Sequence, residues 1–126
     1  MDEIKKIIDE LGNTSLENSI HIAGVAVVAD SGNVVFQTSN WDLTSLTNAV
    51  LSLIKGDPSF IMNDVDFTIV EKTSEGIIAT NNSGMGHVLF VPFQGGVLLS
   101  YAMPQADPPK ALSFLKTFAM RLNGKV

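Results

Sequence analysis

Residues 66–103 read DFTIVEKTSEGIIATNNSGMGHVLFVPFQGGVLLSYAM, and the fold of the chain turns on how this stretch is divided. Four apolar, β-branched runs stand out: DFTIVEK (66–72), GIIAT (76–80), HVLFVPF (87–93) and GVLLSYAM (96–103). They are separated only by SEG, NNSGMG and QGG, whose glycine, asparagine and serine suit tight turns. Segments this short, spaced this closely, leave no room for crossover helices, so the stretch predicts a four-stranded antiparallel meander. Pro92 has no N–H to give to a ladder, so its strand is expected at a sheet edge or with a bulge at that point.

Working outward, the N-terminal segment places Ile4, Ile7, Ile8 and Leu11 on one helical face, with Asp2 as cap and Gly12 as stop, predicting a helix over 3–11. IAGVAVVAD (22–30) is almost continuously apolar, as a strand covered on both faces would be, and DSGN turns it into NVVFQTS (33–39). Asp42 caps a middle helix whose buried stripe is Leu43, Leu46, Ala49, Val50, Leu53 and Ile54, ended by Gly56 and Pro58. Trp41, beside that cap, reads as a hydrophobic staple. The last helix opens with Asp107 as N-cap and Pro108 at its first position, and its stripe is Ala111, Leu112, Leu115, Phe118, Ala119 and Leu122. The order helix, two strands, helix, four strands, helix defines an α+β class: a single antiparallel sheet of about six strands with N-terminal, middle and C-terminal helices packed on it.

With 126 residues, 45% apolar and 17% charged, the chain suits one domain spanning 1–126. The net charge is −5 and the eight Lys and Arg are scattered, so no basic stripe exists to neutralise phosphates and nucleic acid is not an expected partner. There is no cysteine, no apolar run long enough to span a bilayer and no signal-peptide pattern. The expectation is a cytoplasmic protein that is not integral to a membrane. Without secretion, the Asn-x-Ser triplets at Asn13 and Asn81 carry no weight as glycosylation acceptors.

Catalysis needs a nucleophile beside a base, paired carboxylates or a metal. His21 and His87 are the only histidines, stand apart from each other and have no cysteine to join them, so neither a metal site nor a cofactor is expected. Ser83 in TNNSG lacks the first glycine of a nucleophile elbow, and Gly84 and Gly86 form a G-x-G with no third glycine and no following helix. That loop reads as a turn needing positive φ. Asp64, Asp66, Glu71 and Glu75 flank one strand as a solvated rim. What remains is a binding module and not an enzyme.

Three strings carry a family likeness: the hairpin VAVVADSGNVVFQTS (25–39), the run from Asp66 to Pro104, and ADPPKALSFLKTFAMRL (106–122). In order and length they resemble the profilins, small cytoplasmic proteins that bind monomeric actin, and the chain resembles a divergent, archaeal-like member. The resemblance implies a non-enzymatic regulator of actin polymerisation that sequesters or delivers monomers, with promotion of nucleotide exchange as a further implication. Family actin faces use the later strands and the first half of the last helix. Matched by position, this implies Thr80 and Asn82 at the end of one strand, His87 and Leu89 on the next, and Lys110, Ser113 and Lys116 on the helix. Lys110, Ser113 and Lys116 or Thr117 recur at 3 and 4 spacing, opposite or beside the apolar stripe, so they form one exposed strip.

Departures from the family are equally visible. Profilins bind proline-rich segments between their terminal helices with exposed aromatics. Here MDEIKKIIDEL has no Trp or Tyr, Val35 stands at the strand position that would carry Trp, and the last helix ends with Met120 and Arg121. The usual polyproline site is read as absent or rebuilt. HVLFVPF also lacks the basic residues associated with phosphoinositide binding, which is left open. A monomer is expected. A different class, a homodimeric roadblock-type scaffold for a small GTPase, shares the element order but has three strands after its middle helix, and a sensor domain would need a cavity.

Overall fold

The computed structural model describes residues 2–18, 20–31, 34–37, 56, 58–62, 65–73, 76–81, 83–84 and 86–125. The described elements are α1 (Asp2–Glu17), β1 (Ile22–Ala29), β2 (Val34–Gln37), β3 (Ser59–Met62), β4 (Val65–Thr73), β5 (Gly76–Thr80), β6 (His87–Phe93), β7 (Gly96–Ala102) and α2 (Pro108–Leu122). All seven strands form one sheet in the order β2-β1-β7-β6-β5-β4-β3, and every neighbouring pair is antiparallel. The expected meander is β4 to β7, closed onto β1 by seven paired positions from Ile22↔Ala102 to Ala29↔Gly96. The middle helix expected from Asp42, together with Trp41, lies outside the described residues.

Three expectations change. The sheet has a seventh strand, β3, because Phe60 stacks on Phe67 with centroids 5.7 Å apart and meets Phe90 edge-on at 5.4 Å, anchoring a run of only four residues. Helix α1 runs through Gly12 to Glu17: Ser15 beyond it is buried, and the Ile20 N–H donates to the Ser15 carbonyl at 3.0 Å. A mid-helix glycine costs about 1 kcal/mol against alanine, too little to stop a helix whose next turn is packed. Pro92 is in an interior strand and its pairing with Val97 of β7 shows no bulge; it lies beyond Phe90, the last residue of β6 paired with β5, so its missing N–H falls where the ladder is locally open.

Register decides which side chains share a face. Val25, Val27, Ile78, Leu89, Val91 and Leu98 point to the face that carries both helices, where they meet Ile4, Ile7, Ile8 and Leu11 of α1 and Ala111, Leu112, Leu115, Phe118, Ala119 and Leu122 of α2. We call this the near face. Ala26, Val28, Ala79, Val88, Phe90 and Leu99 point the other way and make a second core with Phe60 and Phe67. Strand β1 is thus buried on both faces, as its unbroken apolar run requires.

Both predicted signals at the start of α2 are present. The Asp107 side chain, with backbone φ −92, accepts from the Lys110 N–H, and Pro108 opens the helix. Its far end is tied down where the Gln94 N–H donates to Asn123 Oδ1 at 2.7 Å and the Gly124 N–H donates to the Gln94 carbonyl at 3.0 Å. Helix α2 therefore runs from the Ala102 end of the sheet to the β6–β7 turn.

Candidate functional site

The helices do not cover the whole near face. Under them, Leu89, Val91, Leu98 and Ile78 are buried. Past Ile78 neither of the two described helices covers the face. Pairing of Thr68 with Thr80, of Glu71 with Ile78 and of Ile61 with Asp66 puts Ile61, Asp66, Thr68, Glu71 and Thr80 on the same near face. Asp66 and Glu71 are exposed, and Ile61 is 60% exposed. Between Ile69 and Glu71 the register shifts, and the extra residue, Val70, is also 60% exposed. A bulge re-aims a side chain in this way.

One flank of α2 borders this open area. A Cβ added at Gly76 of β5 would sit 2.9 Å from Leu112 Cδ1 and 2.6 Å from the Phe90 carbonyl oxygen, so Leu112 marks the side of α2 that leans over β5. At 100° per residue, Lys116, Met120 and Ser113 follow Leu112 around that flank. Ser113 is exposed, Lys116 is half-buried, and Met120 is 62% exposed. The opposite flank faces α1, where Arg121 pairs with Glu10 at 2.6 Å and lies 5.4 Å over the Phe118 ring.

The sequence-derived candidates divide accordingly. Thr80 and His87 are paired across β5 and β6, both half-buried, with Thr80 Oγ1 and His87 Nδ1 2.9 Å apart. The turn beside them is built by Asn81: its side-chain N–H donates to the Asp66 carbonyl at 2.6 Å, and its Oδ1 accepts from the Ser83 N–H at 2.8 Å. Gly84 and Gly86 have positive φ, as the turn reading requires. Asn82 lies outside the described residues. Lys110 is exposed at the first turn of α2, and Ser113 and Lys116 sit on the flank just described. Leu89 must be withdrawn as a contact: it is fully buried among the side chains under α2, which leaves it nothing to offer a partner.

Sequence reasoning missed Ile61, Val70 and Met120. Ile61 belongs to the strand that was not recognised. Val70 looked like one more strand residue, because a bulge leaves no mark in a β-branched run. Met120 had a usable signal, since it falls outside the buried stripe of an otherwise regular amphipathic helix. The acidic rim is confirmed as exposed for Asp66 and Glu71, while Asp64 and Glu75 lie outside the described residues.

The groove between the helices differs from an aromatic cleft. Arg121–Glu10 and a second ion pair, Lys125–Glu3 at 2.8 Å, cross it. Two rings do stand on the α1 side of α2, the half-buried Phe114 and the buried Phe118, with centroids 5.1 Å apart. Among the described residues no group of three or more acidic or histidine side chains is placed to hold a metal ion, and no helix is long and apolar enough to cross a membrane.

No protein-family model matches the sequence. Individual relatives do. The chain is 34% identical over 132 aligned residues to Loki profilin-1 of Lokiarchaeum sp., with 96% of each chain covered, and 35% identical to Loki profilin-2 with the same coverage. The chain belongs to the profilin family. Profilins are in general non-enzymatic. The fold agrees: the LokiProfilin1 crystal structure superposes with a TM-score of 0.88 at 28% identity, covering 100% of this chain and 99% of that one. The profilin of the LokiProfilin2/rabbit actin complex superposes at 0.87 with 29% identity and the same coverage. A Schizosaccharomyces pombe profilin, 17% identical with a TM-score of 0.66, shares the fold. Among the described residues five strands follow residue 56, not three, so the roadblock-type alternative is not supported.

Proposed function

We propose that this chain binds the actin monomer one-to-one and regulates actin polymerisation, sequestering or delivering monomers, with promotion of nucleotide exchange as part of that activity. The observation that carries the reading is the open half of the near face. Among the described residues, an otherwise well-packed sheet and helix leave Ile61, Val70 and Met120 in solvent, with Asp66, Glu71, Ser113 and Lys116 as polar neighbours. Exposed apolar side chains within a polar rim are what a protein interface needs. The whole chain, moreover, superposes on a profilin solved in complex with rabbit actin.

In this reading the chain is a single domain, acts without catalysis, works as a monomer and resides in the cytoplasm with its partner. Preference for one actin conformation is how such binding alters nucleotide exchange, because a ligand shifts an equilibrium only through differential affinity. A pelleting assay tests it. A several-fold excess of the protein over actin should lower the polymerised fraction, and a fraction that does not change at any excess would overturn the proposal.

A further inference from the structure

Thr80 Oγ1 and His87 Nδ1 lie 2.9 Å apart where β5 ends and β6 begins on the near face. The geometry points to a proton-controlled gate there: His87 must be neutral for the partner to bind tightly. This rests on the function proposed above, because it supposes that a partner covers this end of the sheet.

His87 is half-buried in the free protein, so solvent reaches the residue. A docked partner removes that water, and burying a charged ring without a counter-charge is far costlier than burying a neutral one. The local bonding points the same way. With neutral imidazole, the Thr80 hydroxyl can donate to Nδ1 and one ring nitrogen remains to be satisfied. With imidazolium, both ring nitrogens donate, Thr80 Oγ1 must accept, and the Thr80 hydroxyl proton and Nε2–H both need acceptors from the partner.

Among the described residues, the titratable groups at this end of the sheet come from each neighbouring element. They are Asp66 on β4, His21 ahead of β1, and Asp107 and Lys110 at the start of α2. The Met103 N–H donates to the His21 carbonyl, which places His21 at the start of β1, two strands from β6 and His87. Asp107 is engaged as the helix cap. Asp66 is exposed and holds Asn81 through its backbone carbonyl, not its carboxylate. The bonding partner of His87 among the described residues is a neutral hydroxyl and not a carboxylate, so that bond does not offset a positive charge once water leaves.

The test compares actin-monomer affinity of the wild type and of His87→Asn, which keeps a polar group near Nδ1 and cannot ionise, at pH 7.5 and 6.0. Actin's own titration is common to both proteins and cancels. The wild type should weaken about three- to tenfold more than the variant, since one linked proton changes affinity by at most tenfold per pH unit. Should the variant bind too weakly to measure, calorimetry of the wild type at pH 6.5 in two buffers of different ionisation enthalpy should report net proton release on binding. Equal pH profiles, tighter wild-type binding at pH 6.0, or no proton release would overturn the gate. Absence of binding at every pH would instead overturn the actin reading, and the gate with it.

Discussion

The near face has two halves made from the same strand alphabet, and they differ in what happens to their apolar side chains. Over β1, β7 and β6, residues such as Leu98 and Leu89 are wholly buried beneath α1 and α2. Over β3 and β4, Ile61 opposite Asp66 and the bulge residue Val70 beside Glu71 stand in solvent. The sheet is wider than the two described helices cover. The covered half therefore carries stability, and the open half is available for a partner at little cost to the fold.

That division is broken most severely from the covered side. Leu115 is fully buried where α2 meets the sheet. Leu115→Ala should remove about 2–5 kcal/mol of stability by losing burial and leaving a cavity. Chemical denaturation would show it, and a loss below about 1 kcal/mol would mean that α2 is more loosely seated than described.

From the open side, the consequence should be the reverse. Val70 is the bulge residue, exposed and without a core contact to lose. Val70→Asp should leave stability within about 0.5 kcal/mol of wild type, as surface substitutions usually do. If Val70 anchors the proposed interface, actin affinity should fall about 10- to 100-fold, or about 1.4–2.7 kcal/mol. Unchanged affinity would move the binding face elsewhere; a large loss of stability would mean that the two halves are not separable.

The same contrast explains how much was legible in the sequence. Periodicity marks burial, so the stripe from Ala111 to Leu122, the meander of β4 to β7 and the double burial of β1 could all be read from it. It is silent where local patterns are overruled. Gly12 is a weak stop set against the packing of Ser15 and Ile20, and β3 is too short to announce itself without its Phe60–Phe67–Phe90 cluster. The site was half legible for a related reason. Thr80 and His87 flank a turn with strong chemistry of its own, whereas Leu89 and Val70 look alike in sequence. Only register and the width of the helical layer separate a core leucine from an exposed valine.

A smaller effect concerns the seam between the helices, which belongs to neither half. The Lys125 ammonium hydrogen-bonds Glu3 at 2.8 Å, and that bond, followed by the lysine's charge, holds the Glu3 carboxyl below its ordinary value of 4.5. A carboxyl depressed in the folded chain stabilises above its unfolded pKa, and the contribution is lost as pH falls through the folded value. The loss therefore lies below pH 4.5. Glu3 is fully exposed, so water and salt screen the pair and its effect on stability should be slight. Titration of the Glu3 carboxyl by NMR reads it directly. Lys125→Gln should move the midpoint up towards the ordinary value, as should about 1 M salt, where screening shortens to about 3 Å. A midpoint indifferent to both would mean that Lys125–Glu3 adds nothing to the seam, leaving it to Arg121–Glu10 and to the apolar packing of Ile7, Phe118 and their neighbours.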